Sequence, residues 1–124
     1  MLAQSNPHAA YRRVDFDARV AGANPAQLAA LCYERLVASL GSALHASARG
    51  DNPGKSQALT QALAALTALE LGLVAAAPLA ATLGQLYAAA RRAVLDSVLT
   101  FDAPSLARVR QDFAEIAAAT SLPM

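Results

Sequence analysis

Apolar residues recur along this chain at helical spacing. Taken at 100° per residue, Leu79, Leu83, Leu86, Ala90 and Val94 fall within about 80° of one another, a narrow core stripe. Leu106, Val109, Phe113, Ile116 and Ala117 form a second such stripe. Two other segments are broader. Leu28, Cys32, Tyr33, Leu36, Val37, Leu40 and Leu44 spread over about half a helix circumference. Leu59, Leu63 and Leu66 continue onto another side through Leu69 and Leu71, and Leu95 and Leu99 lie well off the stripe that ends at Val94. A four-helix bundle needs one stripe per helix, so this extra breadth predicts a further covering surface: an N-terminal arm, a bound partner, or both.

Boundary signals divide the pattern into four helices. Asn24-Pro25-Ala26-Gln27 combines an N-cap, a proline at the first helical position and a glutamine placed for a capping box. It predicts a helix from Pro25 to about Arg49, closed by Gly50. Asp51-Asn52-Pro53-Gly54 is a turn that opens a second helix running to about Val74. Ala75 to Pro78 breaks the periodicity, and a third helix is expected from Leu79 to about Thr100. Asp102 caps a fourth, with Pro104 in its first turn, running to about Thr120. Short connections make chain neighbours antiparallel. The expected fold is all-α, an antiparallel four-helix bundle. One domain is expected over residues 1–124, with 1–23 as an N-terminal arm or short extra helix and 24–120 as the four long helices.

Composition supports this picture and removes several alternatives. Of 124 residues, 33 are Ala and 19 are Leu, both strong helix formers. A chain that is 56% hydrophobic and carries a net charge of +1 is neither disordered nor a basic nucleic-acid binder. The single Cys32 leaves no internal disulfide and suits a reducing compartment. The uncharged stretch from Leu71 to Ala90 has the length of a membrane span. Gly72, Pro78, Thr82, Gly84, Gln85 and eight alanines interrupt or dilute it, so two helices meeting near Pro78 are the expected reading. No signal peptide is recognisable, and a cytosolic protein without membrane insertion is expected.

Candidate chemistry is sparse. His8 and His45 form no metal-ligand pair with each other or with Cys32, so neither a metal nor a cofactor is expected. Cys32 lies on an apolar arc and is expected as a small buried hydrophobe rather than a nucleophile. Glu70 sits near the core-facing side of the second helix, either solvated at a bundle end or paired with an Arg; no second acid is placed for catalysis. Arg91 and Arg92 offer either a carboxylate-binding pair or ordinary surface charge. No enzyme is expected. Tyr33 and Tyr87 read as core or boundary residues, while Tyr11, in a polar arm, would dock onto the bundle or onto a partner.

These residues resemble the flagellar secretion chaperones of the FliS type. Ala10-Tyr11-Arg12-Arg13-Val14-Asp15 is similar to that family's AYxxV-like opening. Asn24-Pro25 and Gln27-Leu28 lead into Leu31-Cys32-Tyr33-Glu34, which looks like its LLYDG segment, and Leu83-Gly84-Gln85-Leu86-Tyr87 fits its LxxLY pattern. Asp102 and Leu106-Ala107-Arg108-Val109 correspond to its last helix. The blocks are individually weak, but they are colinear with the four helices over almost the whole chain. The chain departs from the pattern at Arg35, where the family usually has Gly, and at Ser97-Val98 in place of Ala-Asn. Its 72–78 connection is apolar, and its tail lacks a terminal Trp.

The resemblance implies a bundle that binds the C-terminal helical segment of flagellin along an apolar groove, prevents premature polymerisation and delivers the client to the flagellar type III export gate. It implies an arm, anchored by Tyr11, that lies over the groove when flagellin is absent and helps engage the gate when flagellin is bound. It also implies that Leu28, Leu31, Tyr33, Leu86 and Tyr87 line or support the groove. The alternative is a self-associating bundle or adaptor with a different client, whose spare apolar faces form a homodimer.

Overall fold

A computed structural model describes residues 24–73 and 78–120. Four helices account for nearly all of them: α1 (Pro25–Ala48), α2 (Asn52–Leu71), α3 (Ala80–Leu99) and α4 (Ala103–Thr120). The expected boundaries hold to within one to three residues. The expected N-terminal arm, residues 1–23, and with it Tyr11, lies outside the described residues.

The polar signals at the ends do what their chemistry requires. At the start of α1, the Asn24 side chain accepts from the Gln27 backbone N–H at 2.9 Å. The Gln27 side chain accepts in turn from the Asn24 N–H at 3.0 Å, a complete capping box. Its other end closes on Gly50 at φ 73°, the left-handed conformation that costs glycine little. Gly50 N–H donates to the Ser47 carbonyl and Asp51 N–H to the Ala46 carbonyl, so two otherwise orphaned acceptors are satisfied. Asp51 then caps α2 by accepting from the Gly54 N–H at 3.0 Å. Asp102 does the same for α4, accepting from the Ser105 N–H at 3.1 Å. Only α3 starts without a side-chain cap, because Leu79 occupies its N-cap position.

Packing runs around a ring. α1 lies along α2 and α4, and α3 closes the ring between α2 and α4, leaving α1 and α3 on one diagonal. The α1–α2 seam is built from small side chains. Cys32, Ser39, Ala43 and Ala46 on α1, with Ala58, Ala62 and Ala65 on α2, are all buried, which lets the two backbones approach closely. Five of the chain's 33 alanines serve here. Leu36, Leu40, Leu59, Leu66, Val94, Leu106 and Phe113 fill the centre.

Two sequence expectations change. The broad apolar arc of α1 needs no outside cover along most of its length. Cys32, Tyr33, Leu36 and Leu40 are core residues, and Val37 and Leu44 pack against that core, because α1 has a helical neighbour on each side. The stripe of α3 also differs at its start. Leu79 precedes the helix and is 64% exposed, while Leu83 and Leu86 pack against the core, Ala90 and Val94 are buried as expected, and Tyr87 beside the stripe and Ser97 in line with it are buried with them. Ser97 earns its place by accepting the Asp102 N–H at 3.2 Å, tying the end of α3 to the turn that follows.

Candidate partner-binding face

The proposed groove residues fall into three environments. Leu31, Tyr33 and Tyr87 are buried, at 6%, 5% and 2% exposure. Leu28 and Leu86 are half-buried, and Leu86 packs against the core. Tyr11 is outside the described residues. The structure brings Tyr33 and Tyr87 together from α1 and α3 and adds Phe113 from α4, a residue expected only as core. The three ring centroids stand 6.1–6.4 Å apart. The two tyrosine hydroxyls meet at 2.5 Å, so each buried polar tip finds its partner in the other. Burial, and then the bond to Tyr33, push the Tyr87 phenol far above its ordinary range. This cluster is a pin through the bundle that joins its diagonal helices.

The open apolar surface lies elsewhere, mainly on one flank of α3. Leu95, Val98 and Leu99 are 47%, 56% and 88% exposed. At 100° per residue they share the flank of α3 that carries Ala88 and Arg91. The off-stripe positions of Leu95 and Leu99 marked this flank in the sequence; Val98 was visible only as a departure from the family pattern. A shallow hollow continues the face around the α3–α4 turn, where Leu99, Phe101 and Pro104 are joined by Asp96 and Asp102. Phe101 is covered from α2 by Lys55, whose Nζ stands 5.3 Å from the ring centroid.

One charged contact crosses beside this face. Arg91 of α3 donates to Glu70 of α2 through Nη2 at 2.6 Å and Nε at 3.3 Å, and through Nη2 to Thr67 Oγ1 at 2.7 Å. Of the two readings open for Glu70, the pairing with an Arg is the one realised. Arg92 points to solvent.

Burial raises the Cys32 thiol pKa, which disfavours the reactive thiolate. No group of three or more His, Cys, Asp or Glu among the described residues could hold a metal ion. No described helix is long and apolar enough to cross a membrane; the uncharged stretch is divided between α2, which ends at Leu71, and α3, which begins at Ala80.

The described residues thus form a four-helix bundle pinned by buried aromatics, with an apolar helix flank left open beside a charged bridge. The chain matches the family model described as flagellar protein FliS over residues 7–119 and belongs to that family, one of flagellar export chaperones rather than enzymes. No curated protein matches it.

Proposed function

We propose that this protein binds the C-terminal helical segment of flagellin, keeps it from polymerising prematurely in the cytosol, and delivers it to the type III export gate. The observation that carries the reading is the exposed Leu95, Val98 and Leu99 flank on a chain of the FliS family. An amphipathic client helix needs such a face. Each apolar Å² removed from water contributes about 25 cal/mol, and ordering a disordered client costs several kcal/mol of that gain. The net affinity is therefore tight enough to shield the client and loose enough to release it.

The six groove residues take different parts in this proposal. The client's contacts fall on Leu95, Val98 and Leu99, while Leu28 and Leu86, half-buried, and Leu31, Tyr33 and Tyr87, buried, support the bundle behind that face. Tyr11 anchors the arm. Titration of the full chain with a flagellin C-terminal fragment, followed by calorimetry, tests the reading. Saturable one-to-one binding with a negative heat-capacity change is expected. Absence of binding, with self-association in sedimentation that the fragment does not disturb, would favour the homodimer instead.

A further inference from the structure

We propose that Arg91 and Glu70 form an electrostatic latch that holds α3 against α2, and that its release loosens the α3–α2 seam around the aromatic pin at Tyr87. Four observations converge on α3. It approaches α2 and α4 over fewer residues than α1 approaches either of its own neighbours. It is the one described helix without a side-chain N-cap. Its far end is tethered, through the Ser97 bond to the Asp102 N–H and through Lys55 over Phe101. Between the uncapped start and the tethered end, the Arg91 guanidinium sends three hydrogen bonds across to α2.

The position of Arg91 suits a latch. It lies one turn beyond Tyr87, so the aromatic pin and the ionic contact act on adjacent turns of one helix. The guanidinium is forked on a carboxylate, the stronger geometry for such a pair. Yet both side chains keep about a third of their surface in water, 29% for Arg91 and 34% for Glu70. Exposed pairs of this kind are screened by salt and hold weakly, so the contact biases the position of α3 without locking it. Opening here widens the seam beside Leu95 and Val98. That this serves client entry rests on the chaperone reading; the latch itself does not.

Amide hydrogen exchange on the full chain, without client, tests the latch. Arg91→Gln and Glu70→Gln should each speed exchange in residues 80–95 about two- to fivefold while leaving α1 unchanged. The double variant should add little to either single change. Raising sodium chloride should speed α3 exchange in the native chain and have no such effect in the variants. An equal rise in every helix, no rise at all, or an undiminished salt response in the variants would overturn the proposal. Binding of the flagellin fragment is scored separately: its failure would defeat the chaperone reading and leave the exchange result to decide the latch.

Discussion

Ser39 is buried at the α1–α2 seam, and its hydroxyl has no hydrogen-bond partner. A buried polar atom without a partner forfeits its hydration for nothing in return. Ser39→Ala should therefore stabilise the protein by about 1 kcal/mol, helped by the better helix propensity of alanine, as read from urea denaturation midpoints. Tyr87 carries a second prediction at the same scale. Its phenol is raised by burial and by the bond to Tyr33, so the folded state keeps a proton that the unfolded chain releases at an ordinary tyrosine pKa near 10. The stability linked to that proton is complete below that value and is lost as pH climbs above it. Cys32, raised by burial, acts in the same direction from a lower starting pH, about 8.5. Denaturation midpoints should fall progressively above about pH 9, and Tyr87→Phe should flatten the part of that fall above pH 10. An unchanged slope in the variant would assign the loss to other groups.

At the scale of elements, the α1–α2 seam and the α3 flank should respond in opposite ways to substitution. Ala62 is fully buried where two backbones approach closely. Ala62→Leu should cost about 1–3 kcal/mol through overpacking, whereas Leu99→Ala, on a side chain 88% exposed, should change stability by less than about 0.5 kcal/mol. Thermal melts of the two variants check the contrast. The helix boundaries were legible because Asn24, Gln27, Gly50, Asp51 and Asp102 act within a few residues of themselves, through local backbone chemistry. The inward side of α3 was legible, but what its polar members meet was not. Tyr87 is received by Tyr33 and Phe113 from two other helices, and Ser97 accepts from the turn that follows. Neither partner shows in the periodicity of α3 alone. The breadth of the α1 face had the same cause: sequence shows how wide an apolar arc is but not how many neighbours share it.

At the scale of the whole molecule, the apolar surplus divides between two uses. Alanine lets α1 and α2 pack closely, and the leucines of α1, α2 and α4 fill the centre. What remains is concentrated on α3, with Leu71 and Leu79 exposed at the ends of the connection that leads into it. Of the candidate site, Tyr33 and Tyr87 each stood out in the family-like segment that contains it, but their pairing is a product of the fold, and Phe113, supplied from α4, completes the cluster. The exposed flank, by contrast, was partly visible as leucines placed off the stripe. Because Leu95 and Leu99 contribute little to the core, replacing them separates client binding from folding, which changes at Leu31 or Tyr87 would not. The most direct test is calorimetric titration of a Leu95→Ser, Leu99→Ser variant with the flagellin C-terminal fragment, its helicity and melting temperature measured alongside. The expected result is an unchanged fold and affinity at least about tenfold weaker, as truncation of central apolar contacts produces. Native affinity in a variant that remains folded would contradict the assignment of this face to the client.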